Sequence, residues 1–199
     1  MHLAKLRLYD FRNFKEIDIS FSPGINVIFG ENAQGKTNML EAVYFLTCLR
    51  AQRPSSEREM IRHDQGQAYL KGTYETRFGQ VEREITIYRA KKKSIKENEN
   101  TVKKWSELNP EISAIFFSPD DLNLVKGDPS QRRRFIDNII FQMKPAYLVY
   151  LKDYNRVLSQ RNTLLRAIKK NPGLISGLDP WDEQLAKLGT YIMKERLYW

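Results

Sequence analysis

One short run constrains this chain more than any other. It reads Gly30-Glu31-Asn32-Ala33-Gln34-Gly35-Lys36-Thr37, two glycines with four residues between them, followed at once by lysine and threonine. Glycines there let the backbone approach a phosphate and turn successive N–H groups inward, forming an anion nest at a helix N-terminus. The flanks agree. Ile25-Asn26-Val27-Ile28-Phe29 is nearly all apolar, the pattern of a strand covered on both faces. Beyond the loop, Met39, Ala42, Leu46 and Leu49 recur at helical spacing. Strand, glycine-rich loop and helix together make a P-loop, so the spacing predicts an α/β domain binding ATP with magnesium. Lys36 then meets the β- and γ-phosphates, and the Thr37 hydroxyl ligates the magnesium ion.

The surrounding chain supplies a sheet and then helices. Ala4-Lys5-Leu6-Arg7-Leu8 and Glu16-Ile17-Asp18-Ile19-Ser20-Phe21 alternate apolar with polar, as half-buried strands do. Residues from about 67 to 90 return to strand chemistry, with a turn near Phe78-Gly79 that predicts an antiparallel hairpin. Residues 91–104 read as an exposed hairpin or loop, and Ala114-Ile115-Phe116-Phe117 as another buried strand. From Pro119 the texture turns helical. Ser118-Pro119-Asp120-Asp121 and Asp128-Pro129-Ser130-Gln131 both carry helix-start chemistry. Leu151, Tyr154, Leu158, Arg161, Leu165 and Ile168 follow steps of three and four, as do Trp181, Leu185, Leu188 and Ile192. Breakers at Asn171-Pro172-Gly173 and Gly177-Leu178-Asp179-Pro180 separate the two runs, which predicts an antiparallel helical hairpin. The division expected is 1–118 for the P-loop domain and 119–199 for a helical arm. The last helix is still periodic at Tyr198-Trp199, so the chain is expected to be part of a longer protein.

Composition narrows the function classes. Lys and Arg number 33 against 24 Asp and Glu, a net charge of +9 that favours polyanionic partners. Cys48 is the single cysteine, which excludes an internal disulfide, and His2 and His63 are too few for a structural zinc site. No apolar run approaches the roughly 20 residues of a membrane span, and a cytoplasmic location is expected. Lys91-Lys92-Lys93, Lys96, Lys103-Lys104, Arg132-Arg133-Arg134 and Lys169-Lys170 are the candidates for DNA phosphate contacts. Taken singly, each run also fits an ordinary solvated surface.

At three places the sequence resembles the RecF recombination-protein family. They are Leu8-Tyr9-Asp10-Phe11-Arg12-Asn13-Phe14, the stretch from Gly24 to Asn38, and Phe117-Ser118-Pro119-Asp120-Asp121-Leu122 with Leu124-Val125-Lys126-Gly127, Arg132-Arg133 and Phe135-Ile136-Asp137. Gln160-Arg161-Asn162 adds a fourth. The resemblance implies an ABC-type ATPase head of the SMC-like class, of which this chain is the N-terminal half, with a mixed sheet containing antiparallel strands and a helical arm. It implies ATP and Mg2+ as ligands, binding of single- and double-stranded DNA, an ATP-dependent homodimer at full length, and RecO and RecR as partners in loading RecA at single-strand gaps. By position, Asn32, Gly35, Lys36, Thr37 and Asn38 line the phosphates within a loop completed by Gly30, Glu31, Ala33 and Gln34. Arg12 and Asn13 approach nucleotide or DNA from the neighbouring turn. Arg50 and Arg53 follow the P-loop helix, where relatives place an arginine near phosphate, although an exposed helix end is the simpler reading of them here.

Several ATPase parts are missing from the sequence. Where SMC-like relatives carry a glutamine after the strand matching Ala114–Phe117, this chain has Ser118-Pro119-Asp120-Asp121, acids that serve either the metal or the loop's own capping. No acidic strand end, adjacent glutamate or Ser-Gly helix start is recognisable. The resemblance implies a weak DNA-dependent ATPase at full length, so this chain alone is expected to hydrolyse little or no ATP, with Lys36 limited to phosphate stabilisation. A P-loop kinase or transferase acting on a small molecule is the competing class. It needs an acceptor pocket and an arginine-bearing lid.

Overall fold

The computed structural model describes residues 1–51, 56–104, 107–122, 124 and 127–199, with every side chain among them except those of Asp120 and Leu122. The chain divides into two compact units, Met1–Phe117 and Ser118–Trp199.

Among the described residues, the first unit is a six-stranded sheet with one α-helix on it. Strands β1 (His2–Phe11), β2 (Phe14–Ser20), β3 (Gln67–Thr76), β4 (Gly79–Tyr88), β5 (Ser94–Glu97) and β6 (Asn100–Thr101) lie in the order β2-β1-β3-β4-β5-β6. Every ladder among the described residues is antiparallel. Period-two alternation sets the register. Leu6 and Leu8 on β1, Ala68 and Leu70 on β3, and Ile85 and Ile87 on β4 all face one side and are buried. The hairpin expected near Phe78-Gly79 is present, with Thr76 paired to Gly79. Residues 94–101 form a second hairpin, turned by Asn98 and Glu99, both at positive φ.

Helix α1 (Lys36–Cys48) lies on the apolar side of the sheet, with Met39, Ala42, Phe45 and Leu46 in the shared core. Two buried charges on opposite strokes of the fold hold it. Near its start Glu41 pairs with Arg12. At its end Arg83 of β4, only 1% exposed, donates to the carbonyls of Leu46 and Thr47 and pairs with Glu97 at 2.7 Å. A cation at a helix C-terminus meets both the unsatisfied carbonyls and the negative end of the helix dipole. Cys48, also buried at this end, has its thiol pushed up to about 11 by burial, so it stays protonated and unreactive at neutral pH.

Two expected buried strands are not strands here. Residues 25–29 and 114–117 have no regular secondary structure and join no ladder among the described residues. Ile25, Phe29 and Ile115 are 93%, 89% and 93% exposed, while Ile28 packs on the core and Phe116 stands edge-on to Tyr44. An apolar run becomes a two-sided buried strand only when another strand and a second layer cover it. Neither is present among the described residues.

The second unit is helical. A 3-10 turn (Pro119–Leu122) leads to α2 (Pro129–Met143), whose N-cap Asp128 accepts the N–H of Ser130. Helices α3 (Tyr147–Ile168) and α4 (Asp179–Tyr198) are antiparallel. Tyr150 stacks on Tyr191 at 4.0 Å, Tyr154 packs on Gly189, and Arg161 pairs with Asp182. Asp137 of α2 ties all three helices together. It is buried, takes both Nε and Nη2 of Arg196, and accepts the Tyr147 hydroxyl. Burial, then the Asp137 carboxylate, push the Tyr147 phenol up from its usual range.

Removing one partner of a buried ion pair strands the other. Arg83→Met should cost about 3–5 kcal/mol of stability in urea denaturation. Arg83→Met combined with Glu97→Leu should recover a large part of that loss. A single variant as stable as the parent would show that the pair does not hold α1.

Candidate nucleotide-binding site

The P-loop ends where α1 begins. Gly35 is the N-cap residue at φ 101°, and it offers no side chain to the first-turn amides. Their N–H groups therefore point out of the helix start without a side-chain cap, the arrangement that receives an anion. Gly35 is required twice over. Its φ lies in the left-handed region, and a Cβ there would stand 2.6 Å from Asn13 Nδ2 and 2.7 Å from Phe14 Cζ. Ala33 also has positive φ, at 67°, and Gly30 lies at 147°.

Lys36 folds back over the loop. Its ammonium donates to the carbonyls of Gly30 at 2.8 Å and Glu31 at 2.6 Å, which places the charge inside the ring formed by the loop. Thr37 stands exposed on the first turn beside it, and Glu31, Asn32, Ala33 and Gln34 are exposed around the rim. No cluster of His, Cys, Asp or Glu among the described residues is built to hold a metal ion. A magnesium ion there must rest on the Thr37 hydroxyl, phosphate oxygens and water, which matches its habit of keeping several waters.

The β1–β2 turn braces the loop from the side. Asn13 Nδ2 donates to the Gln34 carbonyl at 3.2 Å, and Asn13 Oδ1 accepts from Asn38 Nδ2 at 2.8 Å. Asn38, expected to line the phosphates, and Asn13, expected to approach nucleotide or DNA from the neighbouring turn, are thus bonded to each other beside Gly35. Arg12, at φ 52°, gives Nε and Nη2 to the two carboxylate oxygens of Glu41 at 2.9 Å each and Nη1 to the Glu59 carbonyl at 2.8 Å. Its guanidinium locks the turn to α1 and to the 3-10 turn Glu57–Met60 instead of lying free over the loop. The signal for Glu41 in the sequence is a lone acid on the apolar face of α1, one residue before Ala42.

The remaining candidates separate. Arg50 follows the C-cap Leu49, about 20 Å along α1 from Gly35 at 1.5 Å per residue. That distance removes it from the phosphates of this loop. Arg53 lies outside the described residues, as do Val125 and Lys126 of the third motif. Asp121 accepts both the N–H and the hydroxyl of Ser118, so it caps its own turn. Lys93 is consumed by Leu49 and Glu57 and lies over the Phe45 ring. Arg132 donates to the carbonyls of Leu124 and Gly127. Lys91, Lys92, Lys103, Lys104 and Arg133 remain exposed, and the amides of Lys103 and Lys104 bond Glu107.

A family model described as an AAA domain matches residues 5–188. This chain belongs to the AAA domain family. Within it, the chain is similar to curated DNA replication and repair proteins RecF. It is 39% identical over 196 residues to that of Agathobacter rectalis and 42% over 197 residues to that of Bacillus cytotoxicus. Each alignment covers 98% of this chain but 54% and 52% of those relatives, so the chain spans about half their length. The structure of the recombination mediator protein RecF with ATP superposes with a TM-score of 0.90 at 34% identity, over 98% of this chain and 53% of that one. An SMC ATPase studied for ATP-driven dimerization matches at TM-score 0.56 and 22% identity, over 70% of this chain and 99% of that one, a likeness of fold. The RecF resemblance and the P-loop ATPase-head fold expected from the sequence both hold. No helix among the described residues is long and apolar enough to cross a membrane.

Gly24 offers an internal control for Gly35, since it has φ 92° but open space around its Cα. Gly24→Ala should cost about 1–2 kcal/mol from backbone strain alone. Gly35→Ala should cost about 1–3 kcal/mol more, because Asn13 and Phe14 must move. Equal losses in urea denaturation would contradict the clamp on the loop.

Proposed function

We propose that this chain holds magnesium ATP at the P-loop and forms the nucleotide-binding part of a DNA replication and repair protein of the RecF kind. One observation carries the reading: the start of α1 is left without a side-chain cap, at a left-handed glycine, with the Lys36 ammonium bonded inside the loop. A triphosphate entering there exchanges the carbonyls of Gly30 and Glu31 for its own β- and γ-oxygens at Lys36. Those oxygens carry full charge, so the exchange favours the ligand. Asn32 and the amides from Gly35 to Asn38 complete the cradle, while Asn13 and Arg12 serve it by fixing the neighbouring turn. The Thr37 hydroxyl would hold a magnesium ion, which would offset the negative charge of the phosphates.

The same reading includes binding of single- and double-stranded DNA, assembly of two copies around ATP at full length, and work with RecO and RecR to place RecA at single-strand gaps. The similarity to RecF relatives supports it, as does a net charge of +9. Exposed Ile25, Val27, Phe29, Ile115 and Phe117 support a head completed by further polypeptide. Hydrolysis belongs to that completed head, and this chain binds ATP with little turnover.

Isothermal titration with magnesium ATP tests the reading. Lys36→Ala should weaken binding at least about tenfold, the loss of one charged hydrogen-bonding group, and Thr37→Val should remove the dependence on magnesium. Unchanged affinity in Lys36→Ala would overturn the assignment. Robust turnover by the parent chain, abolished in Lys36→Ala, would overturn the division between binding and hydrolysis.

A further inference from the structure

The 3-10 turn Glu57–Met60 separates two clefts of the first unit. One, of about 620 Å³, adjoins the P-loop through Asn13 and Asn38 and is also lined by Arg58, His63 and Arg89. The other, of about 450 Å³, is lined by Ser56, Arg58, Tyr88, Lys91, Lys92 and Lys93. Both volumes are in the range of ordinary ligand sites. Arg58 borders both.

The turn that carries Arg58 is rigidly held. Ser56 and Glu59 form a reciprocal capping box, Met60 is fully buried, and the backbone pairs with β1 through Arg12 N–H to Met60 and Arg62 N–H to Asp10. Arg58 itself is exposed, and its guanidinium makes no hydrogen bond among the described residues. In the second cleft Glu57 neutralises Lys93, which leaves Arg58, Lys91 and Lys92 without an acidic partner among the described residues. The Lys91 ammonium lies 4.0 Å over the ring of Tyr88, which keeps it at the cleft wall. Like charges held together on a firm support, at a cost in mutual repulsion, are relieved by a polyanion. The outer face of the sheet is different. There Lys5 and Arg7 pair with Asp18, and Lys71 with Glu82 and Glu84, so its charges cancel.

We propose that the second cleft receives the sugar-phosphate backbone of single-stranded nucleic acid, and that Arg58 joins this path to the nucleotide cleft. The inference rests on the DNA-binding reading above and specifies where the strand lies. Lys91 and Lys92 take successive phosphates. Arg58, with five donors in a fixed fork, faces the strand on one side and the nucleotide on the other. The path thus begins beside the P-loop, and one side chain serves both ligands.

The test uses the full 199-residue chain and a fluorescein-labelled oligothymidylate of roughly 12 nucleotides, with anisotropy read across a salt series and magnesium ATP titrated separately. Lys91→Gln with Lys92→Gln should lower the slope of log affinity against log salt by about 1.4, from about 0.7 per phosphate contact on a single strand. Arg58→Gln should lower it by about 0.7 and also weaken magnesium ATP about two- to fivefold, the effect of one exposed charged contact. Lys194→Gln, which removes a charge from the exposed face of α4, should change neither. Variants that bind the oligonucleotide with the parent's slope would overturn the path while leaving DNA binding intact. So would an Arg58→Gln effect confined to one ligand, or competition by poly-glutamate as strong as that by unlabelled oligothymidylate. A parent chain that binds no oligonucleotide would reject the DNA reading itself, and the path with it.

Discussion

The position of one helix decides what this chain can do, and two ion pairs fix that position. Arg12 grips Glu41 near the start of α1, and Arg83 grips the last carbonyls while paired with Glu97. Between them the helix cannot slide or rotate on the sheet without stranding a buried charge, which is costly. Its N-terminus is thereby held in register with the β1–β2 turn, and Asn13 can press on Gly35. The anion receptor is thus a consequence of how the helix is seated. The glycines permit the loop, but the charges around α1 place it.

This arrangement changes the meaning of two residues. Arg12 and Asn13 sit where a family resemblance suggests ligand contacts, yet their side-chain hydrogen bonds go to Glu41, Glu59, Gln34 and Asn38. They brace the loop and α1. The same sorting applies to the basic runs. A net charge of +9 suggests polyanions in general, but Lys93 and Arg132 are spent on internal carbonyls and Glu57. Excess charge matters only where it is left uncompensated, and in the first unit that includes the strip beside Arg58.

Much of the fold was legible because its signals are local. The alternation of Leu6 and Leu8, the turn at Phe78-Gly79, the caps at Asp128 and the steps from Leu151 to Ile168 each depend on residues a few places apart. The P-loop was legible for the same reason. What escaped depends on distant partners. The pairings of Glu41 and Arg83 are not visible until Arg12, 29 residues away, and Glu97, 14 away, are brought to them. Ile25–Phe29 and Ala114–Phe117 failed in the opposite sense. Their apolar content was read correctly, but burial on both faces requires a second cover, and among the described residues Ile25, Val27, Phe29, Ile115 and Phe117 have none.

The central claim is that main-chain amides at the start of α1 receive the phosphates. Amide hydrogen exchange, resolved to single residues with and without magnesium ATP, addresses it directly. The account predicts slowed exchange at Gly35, Lys36, Thr37 and Asn38 once nucleotide is bound. Tight nucleotide binding with those four amides exchanging as fast as before would contradict it.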